Sequence, residues 1–327
     1  MLKIVCIIPS LCSEKSYPIL KDCIDSLLKS ATAKDIEIKI VVVTNGKRLF
    51  LKDLKKKINL LVREGDPYSF AKMNNTAISK SLKKFNPDWT LLMNDDAYVE
   101  KKFFNEFIKT TKSHKNAALI SPLVYERDDK TIDSFGIEYF NSGYAKNSPK
   151  LGLKTQLVAA ACLFVKVSLL NEMKNKYGFY FNSILFSYMD DVEFSIRARA
   201  LGGNIYKSRD MIVHHRVSYT NGRRSWYVMY QSYRNIIWLI VMTWPVRVIL
   251  KNILNIILVQ GWIILYSLAT HGPTMYIKLW VDTFQHFSDL LNLRRKIIPA
   301  YKKGFRYEDL LSKYAFRTYH GYKIRLW

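Results

Sequence analysis

The 327-residue sequence has only four cysteines, Cys6, Cys12, Cys23 and Cys162, with no CxxC spacing and no Cys/His cluster. That excludes a cysteine-based zinc site and a disulfide framework, and the four read as free thiols of a reducing compartment. Acidic residues are scarce too: 27 Asp+Glu stand against 51 Lys+Arg, a formal charge of +24. Such an excess points to an anionic partner, whether nucleic acid, a membrane surface or a phosphorylated substrate. The opening stretch MLKIVCIIPS has one lysine and an apolar run too short for a cleavable signal. It reads as a first strand, and a cytoplasmic location is expected. Of two apolar runs near the C-terminus, 236–246 is too short to span a membrane, and 253–270, with 18 uncharged residues, sits at the lower limit of the about 20 a spanning helix wants. No RNA-recognition signature, zinc finger or helix-turn-helix pattern is present, so no nucleic-acid partner is expected.

What is present suffices for a large core: 49% of residues are hydrophobic and 14% aromatic. The length exceeds what one core needs, which predicts a main domain with an appendage. Short β-rich runs predict strands at Lys3–Pro9, Ile36–Val43, Ile58–Arg63 and Trp89–Met93. Helical spacing predicts helices at Pro18–Lys29, Phe50–Lys57, Lys72–Lys84 and Phe103–Thr111. This alternation means βαβ units and a parallel sheet covered on both faces, with ligands bound beyond the carboxyl ends of the strands. Three polar turns fall at those ends: Pro9-Ser10, Thr44-Asn45-Gly46 and Asn94-Asp95-Asp96.

Further along, strands are expected at Ser121–Val124, Ile132–Phe140 and Leu157–Val165. Asp190-Asp191 then open a helix with Val192, Ile196 and Ala200 on one face, Glu193 placed four before Arg197, and Gly202-Gly203 as its stop. Two runs, Asn204–Lys207 and Met211–Val213, lead to His214-His215. Taken singly, each feature has an ordinary explanation. Asp favours turns and helix starts, and a histidine pair can simply end a strand.

Taken in order, the features are more specific. IVVVTNGK, SFAKMNNTAI, LLMNDDAYVE and the long stretch from YGFYF to IVHH resemble, segment by segment, the family-2 glycosyltransferases. The resemblance runs from IVCIIPS to the YRN at 233–235. It implies an α/β GT-A nucleotide-sugar-binding domain over residues 1–235, with a mostly parallel sheet flanked by helices. It also implies single-displacement transfer with inversion from a UDP- or dTDP-sugar, assisted by Mn²⁺ or Mg²⁺. By resemblance Asp96 is the metal ligand, joined by His214 in preference to His215. Asp191 is the general base, with Asp190 the alternative or a support for the helix start. Pro9, Ser10, Thr44, Asn45, Asn75, Asn94 and Asp95 fall on the donor side. Asn94 departs from the first Asp of the DxD pattern, and Thr44 stands where the family commonly has the Asp that reads a pyrimidine. Substrate-selecting loops are expected around 66–75 and 141–156. A nucleotide-sugar-binding scaffold without catalysis is the first alternative, and a basic nucleic-acid-binding protein the second.

Residues 236–327 change texture and are read as a helical, membrane-associating region. An in-plane anchor is favoured for 253–270, with a span or a soluble bundle in an oligomer as alternatives. From Arg294 to Trp327 there are ten Lys+Arg, two Asp+Glu and eight aromatics, a mixture suited to anionic headgroups. The expected setting is the inner face of the cell membrane, with a glycan or lipid-linked glycan as acceptor, in cell-surface polysaccharide synthesis.

Overall fold

The computed structural model describes residues 1–31, 35–46, 49–65, 69–126, 128–151, 156–216, 225–317 and 323–324. Its first half follows the alternation of runs. β1 (Leu2–Pro9), α1 (Tyr17–Ser30), β2 (Ile36–Thr44), β3 (Leu60–Arg63), α2 (Phe70–Phe85) and β4 (Trp89–Met93) build a parallel block ordered β3-β2-β1-β4. Successive side chains of β1 point to opposite faces. Val5 and Ile7 enter one hydrophobic cluster with α2, and Ile4, Cys6 and Ile8 enter another with α1. Because both faces are covered, the buried stretches of these strands are near-continuous apolar runs, IVCIIP in β1 and IVVV in β2. The expected helix at Phe50–Lys57 is a short 3₁₀ turn, Lys52–Lys56.

The second half is mixed. It comprises β5 (Ala97–Val99), α3 (Phe103–Ser113), β6 (Ala117–Glu126), β7 (Ile132–Ser134), β8 (Ile137–Phe140), β9 (Ala145–Asn147), β10 (Cys162–Lys166), α4 (Val167–Tyr177), α5 (Asp190–Ala200) and β11 (Asn204–His215). The sheet continues from β4 as β10-β6-β11-β5, with β10 antiparallel to both neighbours and β11 parallel to β6. The run Ile132–Phe140 is two strands, parted where Gly136 takes a φ of +108°. The strand expected from Leu157 begins only at Cys162, because α5 side chains take the preceding backbone groups. Ser195 Oγ accepts from Val158 N–H and donates to Val158 O, each at 3.3 Å, and Asp191 accepts from Ala160 N–H. The two runs before His214 form one strand with a register shift between Lys207 and Ile212.

The C-terminal part is helical: α6 (Trp226–Thr243), α7 (Val246–Lys251), α8 (Ile253–Thr270), α9 (Pro273–Gln285) and α10 (Phe287–Ile297). The boundary expected after 235 falls in the middle of α6. Ile236, Trp238, Leu239 and Met242 are fully buried, so the apolar run as far as Trp244 belongs to the main core. β12 (Leu311–Ser312) then pairs with β8 in a small sheet, tying the tail back to the first domain. All four cysteines are buried free thiols.

Candidate functional site

The three polar turns converge at the carboxyl ends of β1, β2 and β4. Ser10 N–H donates to Val43 O at 2.9 Å, and the Ser10 hydroxyl bonds the Asp95 carboxylate. Thr44, fully buried, accepts from Gly46 N–H at 3.0 Å and bonds the Cys12 thiol. Gly46 is required by close approach, since a Cβ there would sit 2.6 Å from Leu11 O. Burial pushes Asp95 up to about 6, with the Ser10 bond opposing and the Asp96 charge adding.

His215, not His214, meets the acidic turn. Antiparallel pairing of β5 with β11 sets His215 opposite Ala97, the residue after Asp96. Its Nε2 lies 3.1 Å from Asp96 Oδ1 and 3.3 Å from the Asn94 amide, and its Nδ1 lies 3.6 Å from Asp133. Burial alone would lower this imidazole, but Asp133 and Asp96 outweigh it and raise it to about 9. His214, one residue earlier, points to the other face. There its ring nitrogens lie 2.6 Å from Asp129 and 3.2 Å from Glu100, and the ring stacks on Tyr98. Strand alternation thus sets His215, and not the preferred His214, beside Asp96. A groove of about 830 Å³, lined by Lys21, Asp25, Tyr98 and Arg216 among others, contains none of Asp96, Asp191 or His215.

The second acid pair is held differently. Phe186, Tyr188 and Met189 precede α5 with φ of +66°, +66° and +62°, strained for residues with side chains. Distant side chains hold this loop. The Asn235 amide, fully buried on α6, lies 2.8–2.9 Å from the carbonyls of Leu185, Ser187 and Tyr188. Ser69 caps α2 and donates to Phe186 O at 3.0 Å. Asn75 accepts from Phe181 N–H and donates to Phe181 O, both at 2.8 Å, so the structure uses it to fix the loop. Inside α5, Glu193 and Arg197 form a fully buried two-point pair at 2.7 Å.

Asp190 is the more buried of its pair. Burial and the neighbouring Asp191 charge push its carboxyl up, while Asp191, also raised by burial, is partly compensated by the Val192 and Ala160 N–H groups. The two acid clusters adjoin through the 160–161 backbone, since Asn94 N–H donates to Ala161 O at 3.0 Å. Among the described residues no group of three or more His, Cys, Asp and Glu forms a ready metal cage. The Asp96 carboxylate is an oxygen donor of the kind Mn²⁺ or Mg²⁺ takes, and the His215 imidazole facing it, raised to about 9, would join as a ligand only on giving up its proton.

Sequence reasoning missed Asp133, Ser69 and the Arg234-Asn235 pair as parts of this site. Asp133 stands alone on a three-residue strand and carries no pattern. Arg234-Asn235 ended the matched stretch, but a charged and an amide residue beside an apolar run were the only sign of a buried polar task. Parts of the two substrate-selecting loops, 66–68 and 152–155, lie outside the described residues.

No family model matches the chain, and no curated protein matches its sequence. Solved structures match its fold. S. aureus TarS 1–349 in complex with UDP-GlcNAc aligns with a TM-score of 0.57 and 18% identity over 89% of this chain and 82% of that one. In its complex with UDP the values are 0.51 and 21% over 73% and 64%, so there the chain spans just under two thirds of its neighbour's length. The mannosyltransferase PcManGT from Pyrobaculum calidifontis, in complex with GDP-Man and Mn²⁺, aligns at 0.52 and 12% over 91% and 85%. The fold is that of the GT-A glycosyltransferases.

Proposed function

We propose that the chain is an inverting glycosyltransferase that moves a sugar from a UDP- or dTDP-sugar to a hydroxyl of a glycan or lipid-linked glycan. The observation that carries this reading is the convergence of Asn94-Asp95-Asp96, His215 and Asp191 around the 160–161 backbone. Fold neighbours that hold UDP-GlcNAc, or GDP-Man with Mn²⁺, support it. Asp96 and His215 would hold the divalent cation, which would supply Lewis-acid neutralisation of the departing diphosphate. The turns at Ser10 and Thr44 would seat the nucleotide side.

Asp191 serves as base. Two backbone N–H groups favour its ionised form, whereas Asp190 is more deeply buried and keeps its proton more readily. The acceptor oxygen attacks the anomeric carbon, its proton passes to Asp191, and the bond to the diphosphate oxygen breaks. One displacement inverts the anomeric centre. Buried, unpaired thiols support a cytoplasmic setting.

The test is nucleoside diphosphate release from a panel of UDP-, dTDP- and GDP-sugars with a glycan acceptor mixture, with Mn²⁺ and with EDTA. The expected result is release from one donor, abolished by EDTA and by Asp191→Asn. Release from that donor that persists undiminished in Asp191→Asn would overturn the assignment of the base.

A further inference from the structure

Two apolar runs of similar texture have opposite fates. The run 236–246 is mostly buried, with Val246 exposed at its end, whereas α8 is the one described helix long and apolar enough to cross a membrane, and only 17% of it is buried. Its buried positions, Val259, Ile263 and Ser267, lie four apart and form one line against the body. At about 100° per residue, the exposed residues Leu254, Ile257 and Leu265 occupy the opposite arc, which carries no polar side chain. Leu265 is 69% exposed and Leu250 of α7 67%. On α9, Ile277 and Phe284 continue the uncovered apolar surface, at 58% and 73%. So much exposed aliphatic and aromatic side chain marks an interaction surface.

We infer that α7, α8 and α9 dock on an anionic lipid surface, with α8 lying in the interface plane. Charge selects this occupant. Residues 236–327 carry thirteen Lys+Arg and four Asp+Glu, and the whole chain is +24. A second copy would bring a second strongly positive chain, whereas anionic headgroups complement it. The in-plane posture follows from packing. The line through Val259, Ile263 and Ser267 stays on the protein, and Trp262 makes edge contacts with Tyr144 and Tyr233. A helix held along its length to the body presents one face to lipid. This inference is independent of the reaction proposed above.

The experiment floats the full chain with phosphatidylcholine vesicles and with phosphatidylcholine–phosphatidylglycerol vesicles. It compares wild type with Leu254→Glu/Leu265→Glu and records thermal melting and mass in lipid-free buffer. Both positions are exposed, so the variant should melt as wild type does. Flotation with the anionic vesicles is expected, weakened by high salt and reduced about tenfold or more in the variant. The inference is overturned by absence of flotation, by flotation that the variant leaves unchanged, or by a stable dimer that the same substitutions dissociate and that does not float.

Discussion

Asp95-Asp96 and Asp190-Asp191 look alike as sequence, and the fold holds them by different means. The first pair needs only its own strand end, the Ser10 hydroxyl and the β5–β11 register that delivers His215. The second sits after three residues at positive φ and depends on Ser69, Asn75 and Asn235 from two other helices. A site for binding charge can be built from local pairing. On the proposed reading, the site that moves a proton is built on a loop at positive φ that distant side chains restrain.

The sharpest way to separate the pairs is Asp191→Asn. It removes the proposed base and keeps the shape, so turnover should fall about 10²–10⁴-fold while donor affinity stays within a few-fold. Isothermal titration alongside steady-state rates checks both. Asp96→Ala should do the reverse, losing metal-dependent donor binding and about a hundredfold in rate, with the α5 region unchanged.

Asn235→Ala tests the claim that the second pair is held from afar. Removing the amide takes away the two N–H donors shared by the Leu185, Ser187 and Tyr188 carbonyls, of which Leu185 O keeps Arg234, and this should cost about 1–3 kcal/mol in urea unfolding and lower kcat more than it changes donor affinity. Equal loss in both would dissolve the distinction.

The smallest expected effect concerns Asp95. Its folded pKa is raised to about 6, so the stability its proton contributes is full below the unfolded value and is lost as pH rises through about 6. In metal-free buffer Asp95→Asn should therefore stabilise the protein at neutral pH by about 1–2 kcal/mol, allowing for partial exposure, and by nothing near pH 3. Melting temperatures across that range check the sign. The rate should follow the opposite logic at Asp191. Its raised pKa places the acidic limb above the ordinary carboxylate range, because the protonated form cannot accept the acceptor's proton.

The parallel block was legible because each strand is a short buried run ended by a turn, from Lys3 to Met93. α4 is legible as well, through Leu169, Leu170, Met173 and the stop at Gly178, which takes a φ of +86°. The break before Cys162 was not legible, because its cause is Asp191 and Ser195, which bond that backbone from thirty or so residues away. The choice between His214 and His215 turned on strand parity, which a doubled histidine hides. The runs 236–246 and 253–270 differ in length but not in texture, and their texture could not show that one is packed over by the main core and the other is not.

The measurement that bears most directly on the account is thermal melting of the intact chain with UDP-, dTDP- and GDP-sugars, each with Mn²⁺ and each with EDTA, for wild type and Asp96→Ala. The account predicts that one nucleotide sugar raises the melting temperature of wild type with Mn²⁺, and that EDTA or Asp96→Ala removes the shift. No shift with any nucleotide in the presence of metal would contradict it.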